Sequence, residues 1–203
     1  MWRSNKRRLA LGALALSMTG AALAASTSPA SADRPLVRAT LVNAADEVVG
    51  EVVFSGQGNQ VTRVAVLVRA SAAPGLGDFH GFHIHAVGAC DPLPSGSPAV
   101  PFGSAGGHWN PSGVTHGSHA GDMPSLLLQA DGKSRAEFDT DRFPVSDLLE
   151  GDGSAVVLHA GRDNFANIPA TAYSSLEGPV PNTATKNTGD AGGRYACGVV
   201  RPA

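Results

Sequence analysis

Phe79-His80-Gly81-Phe82-His83-Ile84-His85-Ala86-Val87 alternates large apolar residues and imidazoles with a period of two from Phe82 to His85. That period belongs to a β-strand, whose successive side chains leave opposite faces. Ile84 then points into a core, and His83 and His85 share the other face, about 7 Å apart along the strand. Outward from this run the chain repeats the theme. Residues 36–42, 48–54 and 63–68 alternate apolar and polar side chains or carry β-branched runs, with Asn, Asp and Gly between them. Residues 126–129 and 134–138 flank Asp131-Gly132, which predicts a type I′ hairpin. Residues 155–159 and 195–200 bring the expected strands to about eight. Short strands separated by turn signals, with little helix, predict an all-β sandwich or barrel.

Two stretches break the pattern, residues 88–124 and 160–193. Loops that long in a compact domain are usually functional. His108, His116, His119 and Asp122 fall in the first, and His159 ends the apolar run Ala155-Val156-Val157-Leu158 at the edge of the second. Neutral imidazole is the commonest metal ligand and suits copper and zinc. A pair of histidines such as His83 and His85 is by itself as readily a surface feature. With four more ligand types downstream, six of the seven histidines and Asp122 read as a site for one or two transition metals. His159 shares its face with Val157, a poor place for a solvating side chain, and is a further imidazole for the ion of His83 and His85. Two imidazoles and a carboxylate at His116, His119 and Asp122, completed by His108, suit four-coordinate zinc. His80, at the strand start, reads as an ordinary exposed or packed histidine.

The N-terminus carries an export signal: Arg3, Lys6, Arg7 and Arg8, then a nearly unbroken apolar run over residues 9–23. Small-residue cleavage patterns follow, after Ala24 or after Ala32. The run is shorter than the ~20 residues a membrane span needs, and the residues around Arg7-Arg8 match a twin-arginine signal poorly. Residues 33–203 are then expected to form one domain, with a Ser/Ala/Pro-rich disordered lead-in before the first strand. Removing residues 1–32 leaves 11 basic and 17 acidic side chains, a net charge near −6. That balance disfavours nucleic acid and anionic membranes as partners. The two cysteines, Cys90 and Cys197, are an even count in an exported protein, so a disulfide is the default reading and a catalytic thiol the poorer one.

The motifs Gly81-Phe82-His83-Ile84-His85, Ala105-Gly106-Gly107-His108-Trp109-Asn110-Pro111, His119-Ala120-Gly121-Asp122 and the run from Gly189 through Gly192-Gly193-Arg194-Tyr195-Ala196-Cys197-Gly198-Val199 resemble those of the copper/zinc superoxide dismutase family. The resemblance spans essentially the whole chain after the signal. It implies an eight-stranded antiparallel Greek-key barrel or sandwich with two long functional loops. It implies copper on His83, His85, His108 and His159, and zinc on His108, His116, His119 and Asp122, with His108 a bridging imidazolate. Cys90 and Cys197 match the family's disulfide, Arg194 the arginine beside copper, and Asp163 the aspartate linking a copper histidine to a zinc histidine. One feature departs from the family: His116 and His119 are three apart, where a longer segment is usual.

The expected activity is conversion of superoxide to dioxygen and hydrogen peroxide by Cu(II)/Cu(I) cycling, in an exported protein of the periplasm, cell wall or extracellular space. Arg194 and His108 are the expected catalytic residues, with His108 delivering a proton to nascent peroxide. Lys186 and Arg162 are candidates for steering the anion, each equally readable as a solvated charge. The alternatives are a copper buffer or chaperone on the same fold, which has no need of Arg194 or Asp163, and a copper-only dismutase, in which His116 and His119 are redundant. Oligomeric state is not legible.

Overall fold

The computed structural model describes residues 36–58, 60–93, 99–174 and 178–203. The export signal and lead-in expected over residues 1–34 lie outside them. The described residues form β1 (Leu36–Asn43), β2 (Val48–Gly56), β3 (Thr62–Arg69), β4 (Asp78–His80), β5 (Phe82–His85), β6 (Leu126–Leu128), β7 (Lys133–Thr140), β8 (Ala155–His159), β9 (Arg194–Val199) and β10 (Arg201–Pro202), with one α-helix, α1 (Thr183–Thr188). An antiparallel sheet runs β5-β8-β9-β1-β2-β3-β7, with β10 added to β1. A separate β4–β6 pair lies between the two ends of that order, since β4 leads directly into β5 and β6 into β7. This is an all-β, Greek-key barrel, as expected.

All eight expected runs contain a strand, but run 79–87 is broken at Gly81. β4 pairs with β6 while β5 pairs with β8, so the run read as one strand serves two ladders. The backbone of Gly81 turns this corner, donating to Gly161 and accepting from His159, both at 2.8 Å. The Asp131-Gly132 turn also differs from its expectation. A type I′ turn needs positive φ at both central residues, whereas here only Gly132 (φ 77°) is left-handed. Gly132 N–H donates to the Gln129 carbonyl and Gln129 N–H to that of Lys133, closing a three-residue loop in which Ala130 takes part.

Alternation decides what each strand buries. β1 and β3 bury every second side chain, and Val37, Leu41, Phe54, Val64, Val66, Phe82, Ile84 and Leu158 meet in the barrel core. Each such Leu, Ile or Phe is worth about 1.5–3 kcal/mol when fully buried. β5 and β8 are buried on both faces. On their outer face Ala155 and Val157 pack with Phe102, Ala105 and Cys197 under the first long loop. The Cys90–Cys197 disulfide, with Cα atoms 5.8 Å apart, ties that loop to β9.

Candidate metal centre

His83 and His85 leave the outer face of β5, and His159 ends β8 beside them. The first long loop then returns along the free edge of β5. Trp109 N–H donates to Ile84 O and Ile84 N–H to Gly121 O, both at 2.8 Å, while Ala86 N–H reaches Gly107 O at 3.0 Å. These bonds carry His108 and Asp122 to positions opposite His85 and His83. All six histidines and Asp122 are buried.

In the first set, every ring uses one nitrogen as a donor and leaves the other bare. His83 Nε2–H donates to Asp163 Oδ2 at 2.8 Å, His85 Nδ1–H to Gly106 O at 2.9 Å and His159 Nδ1–H to Gly192 O at 3.2 Å. His83 Nδ1, His85 Nε2, His108 Nε2 and His159 Nε2 are then buried without a hydrogen-bond partner among the described residues. A lone buried nitrogen of this kind costs about 1–3 kcal/mol. The ligand atoms of His83, His85, His108 and His159 lie within 4.8 Å of one another, so one ion satisfies all four.

The second set centres on Asp122 Oδ1. It lies 2.9 Å from His108 Nδ1, 3.3 Å from His116 Nδ1 and 3.2 Å from His119 Nδ1. Donors about 2.0–2.1 Å from a tetrahedral zinc stand about 3.3 Å apart, so these separations are those of a ligand shell. The other carboxylate oxygen, Oδ2, accepts the amides of Gly117 (2.7 Å) and His119 (3.0 Å), folding the 116–122 segment round the site. The three-residue spacing of His116 and His119 therefore does bring both rings to one point. His108 belongs to both sets, one nitrogen in each.

Asp163 joins the two sets. Its Oδ1 accepts from His116 Nε2 and its Oδ2 from His83 Nε2, each at 2.8 Å. Gly189, in the left-handed region (φ 63°), lies directly over this link, and a Cβ there would overlap Asp163 Oδ1 and His116 Nε2. Gly189 also caps α1, a helix absent from the expectation for residues 160–193. The signals were there: Asn182 accepts the Thr185 amide at its start and Gly189 ends it.

Burial keeps the first set neutral. It pushes His159 down to about 3, helped by the neighbouring charges of His83, His108 and Arg194. Burial likewise pushes His108 down to about 4, against the pull of Asp122, and holds His85 well below the ordinary histidine value. His116 goes the other way. Burial opposes its charge, but hydrogen bonds to Asp122 and Asp163 prevail and raise it to about 9. Both carboxyls are held well below the usual range, burial being outweighed by those histidine partners.

Arg194 is half-buried, and its guanidinium donates to the carbonyls of Phe102 and Gly106. Gly106 O thus serves both Arg194 and His85. Arg162 is paired with Asp78 at 2.6 Å, which offsets the charge assigned to steering, and Lys186 is exposed on α1. His80 is the packed alternative, 1% exposed, with its ring nitrogens on His159 O and Gly75 O. Arg142 went unnoticed in the sequence because its partners are backbone carbonyls of the 117–122 turn, which carry no residue-type signal.

The profile of the family described as copper/zinc superoxide dismutase (SODC) matches residues 48–200. The chain belongs to the copper/zinc superoxide dismutase family. It is 48% identical over 126 residues to a protein named superoxide dismutase [Cu-Zn] of Mycolicibacterium paratuberculosis, covering 60% of this chain and 56% of that one. The match thus spans about half the length of that relative. A Deinococcus radiodurans protein of the same name is 33% identical over 178 residues, covering 82% of this chain and 84% of its own. Among solved structures, the Cu/Zn superoxide dismutase from Brucella abortus superposes with a TM-score of 0.62 at 25% identity, over 82% of this chain and 99% of that one.

Proposed function

We propose that this family member is an exported dismutase holding one copper and one zinc, and that it converts two superoxide anions and two protons into dioxygen and hydrogen peroxide. The observation that carries the reading is the pair of donor sets sharing His108: four bare ring nitrogens converge on one point and three Nδ1 atoms converge with Asp122 Oδ1 on another. His83, His85, His108 and His159 would hold copper, whose one-electron couple between Cu(II) and Cu(I) supplies the redox chemistry. His108, His116, His119 and Asp122 would hold zinc.

The chain's own residues do the rest. Depressed pKa values keep His85, His108 and His159 as neutral donors at neutral pH, the form that metals require. His108 Nε2 is the atom that takes a proton and delivers it to peroxide, with Nδ1 fixed by the second set. Arg194, charged and pinned to two carbonyls, receives the anion, a task its rigid fork suits. Asp163 orients the His83 and His116 rings together. Export to an oxidising compartment fits the Cys90–Cys197 bridge.

The test is metal content per chain of the mature protein followed by superoxide consumption after pulse radiolysis. One copper, one zinc and rapid turnover are expected. Full metal loading without turnover leaves a copper buffer, and one copper with no zinc leaves a copper-only enzyme.

A further inference from the structure

Arg142 lies two residues beyond β7, and its side chain reaches back to the turn that carries the second donor set. Nη1 donates to the carbonyls of His119 (2.8 Å) and Asp122 (2.9 Å), and Nη2 to that of Gly117 (3.2 Å). On the inner side of the same turn the amides of Gly117 and His119 donate to Asp122 Oδ2. The peptide groups of the turn are therefore held from both sides, amides by a carboxylate and carbonyls by a guanidinium.

The backbone of Arg142 is itself anchored next to the site. Phe143 is 2% exposed, meets Trp109 edge-to-face at 5.3 Å, and its carbonyl accepts Thr62 Oγ1 at 2.8 Å. Trp109 directly follows His108. Arg142 thus connects the barrel wall beside His108 to the two residues, His119 and Asp122, that must meet His108 at the ion.

We propose that Arg142 is a positioning residue for the zinc set, fixing a turn shortened by the three-residue His116–His119 spacing so that His119 Nδ1 lands beside Asp122 Oδ1. This rests on reading His108, His116, His119 and Asp122 as a zinc site. The turn has no helix or strand of its own to hold it; beside the Ile84–Gly121 backbone bond and the ties to Asp122 Oδ2, three ties to one planar fork fix its carbonyls. Lysine, a point charge without the fork, reproduces it only in part.

Direction separates positioning from electrostatics. A guanidinium beside a divalent cation repels it, so charge alone predicts that Arg142→Ala binds zinc more tightly and Arg142→Lys as wild type. Positioning predicts the reverse order. With the copper set filled by Cu(I), apo zinc sites are titrated with Zn(II) against a competing chelator, and with Co(II) to read four-coordinate geometry from its visible bands. Expected is a zinc affinity lower by about 10–100-fold in Arg142→Ala, the usual scale for losing a group that orients a ligand. Arg142→Lys should fall between, the Co(II) bands should weaken in step, and Cu(I) affinity should stay within about threefold.

Wild-type zinc affinity or tighter binding in Arg142→Ala overturns the proposal. So does a parallel fall in zinc affinity, Cu(I) affinity and melting temperature of the apo protein, which marks a general fold role. A wild-type protein that takes no zinc at this set overturns the zinc reading as well, and that is seen before any variant is made.

Discussion

The two donor sets are built differently. Three of the four donors in the first stand on barrel strands, His83 and His85 on β5 and His159 on β8, over a packed core. Three of the four in the second, His116, His119 and Asp122, stand on a turn that backbone bonds tie to β5 only at its Gly121 end and that side chain–backbone bonds hold along the rest. A strand-borne site inherits the rigidity of the barrel, whereas a turn-borne site depends on each tie. The first should tolerate changes nearby and fail only on loss of a ligand. The second should be tunable from outside its ligands.

Loss of a ligand breaks the comparison most directly. His159→Ala should remove copper and reduce superoxide consumption by more than about 100-fold, with zinc uptake retained. His83→Ala should likewise remove copper and activity but, unlike His159→Ala, also weaken zinc uptake, because Asp163 Oδ2 loses its partner. His119→Ala should abolish the rise in melting temperature produced by zinc while leaving copper binding largely intact. His80→Ala should keep full activity per copper but melt lower, since the buried contact of its ring with the His159 carbonyl is lost at about 1–3 kcal/mol. Metal analysis, activity and melting curves on these four variants check the assignment. Equal metal loss in His80→Ala would misplace the first set.

Arg194 tests whether the first set has a substrate side. A unit charge about 6 Å from the anion at an effective dielectric near 40 is worth about 1.4 kcal/mol, or about 10-fold in rate, and reversing it doubles the energy. Arg194→Ala should therefore slow superoxide consumption by about 10-fold and Arg194→Glu by about 100-fold, with copper content unchanged. The wild-type rate should fall as salt rises, since screening shortens to about 8 Å at physiological ionic strength. Fully active variants with a salt-independent rate would make Arg194 a tie for the Phe102 and Gly106 carbonyls alone.

What could be read from sequence divides along the same line. His83, His85 and His159 were legible because period two on a strand fixes the face a side chain leaves by. The convergence of His116 and His119 was not, because spacing along a turn says little when the path is set by Asp122 and by Arg142 from 20–25 residues away. Family resemblance named the ligands, but it had no means of showing that a shortened segment still closes. The Gly81 break did leave a signal, since the apolar–imidazole alternation changes phase between Phe79-His80 and Phe82-His83, but reading residues 79–87 as one strand passed over it. α1 was missed because six residues are too few to show a helical period, leaving only its caps. At Asp131-Gly132 the dipeptide was read correctly as a turn, but it does not distinguish a two-residue from a three-residue loop.

The disulfide bears on the strand-borne side, closing a 107-residue separation that contains five of the seven proposed ligands. Chain-entropy arguments put such a bridge at about 4.7 kcal/mol, less any strain, and 1 kcal/mol moves the melting point of a domain this size by about 2–4 °C. Reduction should lower the melting temperature of apo protein by roughly 10 °C. Calorimetry with and without reductant measures it. Free thiols in mass spectra of secreted protein would remove both the bridge and the argument for an oxidising compartment.

The smallest expected effect is also the sharpest contrast between the sets, since their histidines titrate in opposite directions. His108 (about 4) and His159 (about 3) lie below the ordinary 6.5. Between those values and 6.5 the unfolded chain binds more protons than the folded one, so apo stability falls as pH drops below 6.5. Asp122 and Asp163, both lowered, add to that loss once pH passes below about 4. His116, raised to about 9, contributes stability that is complete below 6.5 and disappears as pH climbs through 9. Apo protein should therefore be most stable near pH 7, declining on both sides, the alkaline decline setting in at once. Zinc must displace the extra proton from His116 Nδ1, because Nε2–H remains on Asp163. At pH 7.5, zinc uptake should then release about one proton per chain, read by calorimetry in buffers of different ionisation enthalpy, and zinc-loaded protein should lose the alkaline decline. No proton release at that pH would mean that His116 is already neutral in the apo protein, and that the carboxylates on either side of it stabilise its ring by orientation and not by charge.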